Sequence, residues 1–198
     1  MKFSIEESRI TKHYNRFWGD HNDIFEIRDV LDIPNSSIFV LEFPPDEDGQ
    51  DWVYATVGMS DNSMVYPDAW KEKPPNVRSE IFLYSKTKNK DLKELLAALV
   101  RYPFEKKTFL APGHTIPGVE GIGGNKSLTD ILFLRPIGEP SDFEIIHDSE
   151  FDHVQMLWAI PIYNSERNFI IKNGWSALVS LFYKEKTETS DFNRKSTI

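Results

Sequence analysis

Two runs of β-branched and aromatic residues, Ile38-Phe39-Val40-Leu41-Glu42-Phe43 and Trp52-Val53-Tyr54-Ala55-Thr56-Val57, are separated by Pro44-Pro45 and the acidic stretch Asp46-Glu47-Asp48-Gly49. A strand must satisfy its backbone groups against a neighbour, and two strand-forming runs this close in sequence pair with each other as a hairpin with a longer loop. The hairpin commits this part of the chain to antiparallel structure, and the flanking patterns are read around it.

Ahead of it, Ser4-Ile5-Glu6-Glu7 has the capping-box form, and Ile10, Tyr14, Phe17 and Trp18 follow at helical spacing, so a helix is predicted to about Gly19. A turn at Asp20–Asp23 leads into short apolar pieces around Ile24 to Ile27. After it, residues 60–76 read as loop and Glu80–Tyr84 as a strand. Asp91 stands three residues before Glu94, and Leu92, Leu95, Leu96 and Leu99 mark one face of a helix that Pro103 is expected to stop. Repeated glycines and prolines make 112–125 an irregular loop, and strands resume at Ile131–Leu134 and Val154–Ile162. Asn164-Ser165 can cap a last helix carrying Phe169, Ile170, Trp175, Leu178, Leu181 and Phe182, which Gly174 kinks or divides. Helix, strands, helix, strands, helix is an α+β order, predicting a mixed, mainly antiparallel sheet with helices packed on it. No repeat or composition shift divides the chain, so residues 1–184 are expected to form one domain, with 185–198 a polar, loosely held C-terminal tail.

Composition narrows the chemistry. With 40% hydrophobic residues, 14 Phe, seven Tyr and five Trp, the chain is too apolar for a disordered tail. The absence of cysteine removes disulfides, thiolate zinc sites, iron–sulfur clusters and thiol catalysis, and fits a reducing compartment. The acidic N-terminus has no secretory pattern and no stretch is long and apolar enough for a membrane span, so a cytoplasmic protein is expected. With 23 Lys and Arg against 31 Asp and Glu, the formal charge of −8 repels a phosphate backbone, and nucleic acid is not expected as a partner.

Candidate reactive sites fare poorly. The loop Gly118–Ser127 has the glycines, Lys126 and Ser127 of a phosphate cradle, but Asn125 interrupts the required Gly-Lys-Ser/Thr order and Glu120 adds a negative charge. His13 and His21 are eight apart and His147 and His153 six apart, neither a metal-pair spacing, so no metal and no cofactor are predicted. Gly58-Met59-Ser60 lacks the second glycine of a nucleophile elbow. His114, between Gly113 and Thr115, can act either as a general base or as a hydrogen-bonding residue that holds its loop, and the second reading is favoured.

The strand Trp52–Val57 with Thr56-x-Gly58-Met59-Ser60 at its end resembles the suppressor of fused family. Arg78-Ser79-Glu80-Ile81, the leucine helix closing on Arg101-Tyr102-Pro103, Gly113-His114-Thr115-Ile116, and Pro161-Ile162 followed by Glu166 and Asn173-Gly174 occur in that family's order and approximate spacing, from Tyr14 to about Phe182. The resemblance implies an α/β sandwich-like interaction domain with no established catalytic centre. The animal namesake sequesters a transcription factor. The short bacterial members, which this chain resembles, are associated with polymorphic toxin systems, which implies an immunity protein that neutralises a cognate toxin. The additional C-terminal domain of animal members is not expected here, and a Hedgehog-type role is not carried over. Read from the residues, the motif is mostly structural: Gly58 ends the strand in a sharp turn, Ser60 closes it, and Trp52 and Met59 fill core or a groove. Arg78 beside Glu80 is either an ion pair across the sheet or a partner contact, with structure favoured, and Asp191 and Arg194 can clasp the tail to the domain. Partner contact is expected from the acidic segments, at Asp46, Glu47, Asp48 and Asp51 and at Asp148, Glu150 and Asp152, which can steer the protein to a basic surface. The functional alternatives are a cytoplasmic regulator or scaffold that sequesters an endogenous protein, and a hydrolase using His114.

Overall fold

The computed structural model describes residues 5–27, 38–45, 51–66, 78–119, 122–147 and 153–198. In chain order its elements are α1 (Arg9–Trp18), β1 (Asp23–Ile27), β2 (Ile38–Phe43), β3 (Trp52–Val57), β4 (Arg78–Ser85), α2 (Asp91–Glu105), β5 (Thr115–Pro117), β6 (Leu128–Leu134), β7 (Ile145–His147), β8 (His153–Tyr163), α3 (Asn164–Asn173) and α4 (Trp175–Glu185). The sheet runs β1-β2-β3-β4-β8-β6-β5, with β7 beside the first residues of β8. The β2–β3 hairpin is antiparallel, with Leu41 opposite Ala55. Among the described residues only the pairing of β4 with β8 is parallel, Glu80 lying opposite Met156, so the sheet is mixed and mainly antiparallel. The α+β expectation holds.

Helices cover both faces. On one, Leu92, Leu96 and Val100 of α2 pack against Val40, Tyr54, Ile81 and Leu157. On the other, Ile10 and Tyr14 of α1 cover Leu41, Ala55, Phe82 and Met156, while Leu178 and Phe182 of α4 cover Leu132, Leu134 and Ile160. Neighbouring residues of one strand therefore enter opposite cores, which is why β2, β3 and β8 read as almost continuous apolar runs. The loop before β7 completes the layer under α1: Phe143 lies 4.7 Å from Trp18 and edge-on to Phe82 at 5.4 Å, and its carbonyl bonds His13 Nε2 at 3.0 Å.

Several boundaries differ from those read in the sequence. Ser8, whose Oγ accepts from the Ile10 N–H, caps α1 after a short 3₁₀ turn at Ile5–Glu7; Ser4 lies outside the described residues. α2 continues past Pro103 to Glu105, because a proline in the last turn removes only one donor and Thr108 recaptures its carbonyl. Thr115–Pro117 forms a short edge strand on β6, where a proline is tolerated. Gly174 divides the last helical pattern into α3 and α4.

The C-terminal segment is not loosely held. Arg194, only 9% exposed, donates two hydrogen bonds to the fully buried Glu166, at 2.7 and 2.8 Å, and a third to the Pro161 carbonyl at 3.1 Å. Its guanidinium also lies over the rings of Tyr163 and Phe182. Glu166 accepts from the backbone N–H groups of Tyr163 and Thr197 as well, both at 2.9 Å. Phe192 is buried against Gly123, and Asn125 donates to its carbonyl. The polar composition concealed this because the attachment rests on a buried bidentate pair together with one apolar anchor, Phe192.

Removing one partner of a buried pair strands the other charge. Arg194→Met is expected to lower the urea unfolding free energy by about 3–5 kcal/mol and to loosen residues 186–198 in amide exchange. A loss under about 1 kcal/mol would show that the strap is held by other contacts.

Candidate functional site

The end of β3, the turn that follows it and the start of β4 close around one carboxylate. Glu80 is fully buried. Its Oε1 accepts from the Gly58 N–H at 3.0 Å, the Ser60 N–H at 3.0 Å and the Ser60 hydroxyl at 2.7 Å, and its Oε2 accepts from the Thr56 hydroxyl at 2.7 Å. Thr56 Oγ1 in turn accepts from the Ile81 N–H at 2.8 Å, continuing the β3–β4 ladder through a side chain. The local sequence explains the shape. Gly58 has φ 100°, a region that costs a side chain energy, and this turns its N–H and that of Ser60 onto one point. Met59, between them, is buried in the α2-side core. Arg78 donates to the Ser60 carbonyl at 2.8 Å, and the Tyr14 hydroxyl of α1 donates to the Thr56 carbonyl at 3.1 Å.

Two motifs apart in sequence, Thr56–Ser60 and Arg78–Glu80, are therefore one cradle. The ion pair weighed for Arg78 and Glu80 is not how this carboxyl group is satisfied: among the described residues, the four hydrogen bonds it accepts come from neutral donors. Burial pushes the Glu80 carboxyl up from its ordinary 4.5 to about 7, against the hydrogen bonds of Ser60, Thr56 and Gly58, which pull it down. Burial, and then the nearby Glu80, also hold Tyr14 well above its usual range, so it remains a donor.

A second constellation joins β6 to the last helices. The Gly113 N–H bonds the Phe133 carbonyl at 2.7 Å, and the Phe133 N–H bonds the His114 carbonyl at 2.9 Å. The His114 ring lies 4.9 Å from Phe109, with Nδ1 3.3 Å from the Phe109 carbonyl. Gly113 has φ 90°, and a Cβ there would stand 2.5 Å from the Trp175 indole, so the first residue of α4 requires glycine opposite it. Sequence reading missed a third cluster: buried Glu42 of β2 pairs with Lys88 Nζ at 2.8 Å and Lys93 Nζ at 3.3 Å, and Lys93, on the first turn of α2, also reaches Asp23 at 2.5 Å. Its one visible sign was a lone Glu inside an apolar strand. Trp52, partly buried at the start of β3, lies under Lys88, whose Nζ is 4.9 Å from the ring centroid.

Of the acidic positions expected to meet a partner, Asp51 is described, and it lines a groove with Tyr84, Glu139 and Glu188. Asp46, Glu47, Asp48, Asp148, Glu150 and Asp152 lie outside the described residues. No described helix is long and apolar enough to cross a membrane.

The fold and its cradle define a mixed-sheet α+β domain in which the motif side chains hold strand ends and helices together. The chain belongs to the suppressor of fused family: the model of the suppressor of fused protein matches residues 34–195. The match includes Arg194, so the clasp between Arg194 and Glu166 lies inside the family's span. A suppressor of fused homologue of Neisseria gonorrhoeae FA 1090 superposes with a TM-score of 0.75 at 20% identity, covering 96% of this chain and 94% of that one. The crystal structure of the Sufu–Fu complex gives 0.65 at 15% identity, covering 95% and 90%. Drosophila Suppressor of Fused gives 0.66 at 15%, covering 95% of this chain but 50% of that one. No curated protein matches the chain.

Because Glu80 keeps its proton to a higher pH when folded, the stability it contributes is complete below about 4.5 and is lost as pH rises to about 7. The advantage of the parent chain over Glu80→Gln is expected to shrink by about 3 kcal/mol across that window in urea titrations. An advantage that grows with pH would mean that the four donors hold an anion. Gly113→Ala is expected to cost roughly 1–3 kcal/mol through its backbone conformation alone and to shift the tryptophan emission as Trp175 is displaced; unchanged emission and stability would contradict the contact.

Proposed function

We infer that this chain is a non-catalytic protein-binding domain whose task is to occupy the surface of another protein, in the manner of an immunity protein that neutralises a cognate toxin in the cytoplasm. The observation that carries the reading is its membership of the suppressor of fused family, one of whose structures is a Sufu–Fu complex. The chemistry of the motif residues supports it. Thr56, Ser60 and Glu80 spend their polar atoms on one another and on backbone groups, and His114 is packed on Phe109 within its loop. That arrangement gives these residues work in holding the fold, and it weakens the case for His114 as a hydrolytic base.

The charge of −8 suits a basic partner surface, such as that of a nuclease, where complementary charge raises the association rate and selects the partner. A regulator that sequesters an endogenous protein is the second reading, favoured by the same Sufu–Fu complex. It differs in the identity of the partner alone.

Co-expression with the product of the neighbouring reading frame is expected to give a complex that survives size-exclusion chromatography and to rescue cells from that product's toxicity. No complex and no rescue would remove the immunity reading. A stable complex with a resident cytoplasmic protein, purified from the native cell, would establish the regulator in its place.

A further inference from the structure

The inference concerns the face shared by α1 and α4, away from the Glu80 cradle, and rests on the protein-binding reading. Between the two helices, among the described residues, a groove of about 700 Å³ continues into a more apolar one of about 380 Å³. Ile137 and Trp158 line both, and Thr187 and Thr189 of the C-terminal strap form a shared wall. The strap is fixed there: the Lys86 N–H bonds the Ser190 carbonyl at 3.0 Å, and the Lys86 ammonium pairs with Glu188.

The two ends differ in chemistry. Val179, Phe182 and Tyr183 line the apolar end, with Tyr183 66% exposed. At the other end stand Asp51, Glu139 and Glu188, and among the described residues Lys86 is the cation lining it, already paired with Glu188. Asp51 and Glu139 remain in excess. Glu139 is also held in orientation: the Trp18 indole N–H at 2.9 Å and the Tyr84 hydroxyl both donate to its Oε1, and Oε2 takes neither bond. Tyr84 stands edge-on to Trp158, 5.6 Å between centroids, so the oriented carboxylate and the apolar floor are adjacent.

An oriented carboxylate with a spare oxygen, a second carboxylate and an aromatic floor complement a cation next to an apolar side chain. We propose that this groove receives a protruding segment of a protein partner, in which an arginine or lysine meets Glu139 and Asp51 and a neighbouring apolar side chain packs on Trp158 and Ile137. The net acidic charge of the chain then acts locally as well as at long range.

The test titrates the full ¹⁵N-labelled chain with the capped peptide acetyl-Gly-Leu-Gly-Arg-Leu-Gly-amide and follows the indole N–H signals of Trp18 and Trp158. Saturating shifts at roughly millimolar peptide are expected, confined to the groove and weakened by salt. Replacing the peptide arginine by citrulline, or using Glu139→Gln, which keeps an acceptor for Trp18 and Tyr84, is expected to weaken binding about tenfold or more. Asp51→Asn should act in the same direction. Equal binding of the citrulline peptide, or shifts over the α2 face instead, would overturn the proposal; so would shifts reproduced by raising the protein concentration alone, which would put a second copy in the groove. A partner complex that forms undiminished with the Glu139→Gln/Asp51→Asn double variant would remove this site and leave the protein-binding reading standing. Failure to find any complex would remove that reading, while the peptide titration would still judge the groove.

Discussion

A carboxyl group shut away from water must find hydrogen-bond partners, and among the described residues Glu80 is met by four donor groups. Everything near it follows from that demand. The donors come from the last residue but one of β3 and from the turn after it, so the strand cannot continue and the chain must bend at Gly58. Thr56 answers both sides, donating to Glu80 and accepting from Ile81, which fixes β3 against β4 at the point where their ladder ends. Tyr14 ties the same residue's carbonyl to α1, and β4 carries the register on to β8 through the parallel pair of Glu80 and Met156. A helix, an antiparallel pair and the parallel junction thus share one polar centre within an apolar interior.

The other half of the sheet relies on a comparable device with a different balance of charge. Glu166 is met by a guanidinium as well as by backbone donors, and the arginine comes from the end of the chain. This attachment has a consequence beyond stability. Residues 187–190 pass over the sheet between α1 and α4 and become the wall of a groove whose floor is Trp158. The clasp at Arg194 and the Lys86–Ser190 bond together hold that wall, so a polar interior contact helps shape a surface feature several residues away.

Buried polar centres in this molecule hold strand ends, helices and the C-terminal segment in place. The cradle and the strap turn most of their polar contacts inward, and Glu42 pairs with Lys88 and Lys93 at the edge of α2. Recognition by shape and charge needs a rigid platform more than a reactive group, because each loosely held side chain at a contact must be ordered on binding. Twin helical coverage of one mixed sheet supplies such a platform.

Local patterns determined much of this architecture. The hairpin of β2 and β3, the leucine face of α2, the aromatic face of α1 and the break at Gly174 were all legible, since each depends on residues within a few positions of one another. The motif residues Thr56, Gly58, Ser60, Glu80, Gly113 and Gly174 could also be singled out, though not their mutual contacts. Tertiary structure alone decided that Glu80 would be satisfied by the Thr56–Ser60 turn and not by Arg78, that Gly113 would face Trp175, and that a polar tail would be locked down by Arg194. The physical reason is the same in each case. A hydrogen bond or ion pair between distant residues leaves no periodicity in the chain, and its strength depends on burial and angle, which exist only once the sheet has brought the partners together.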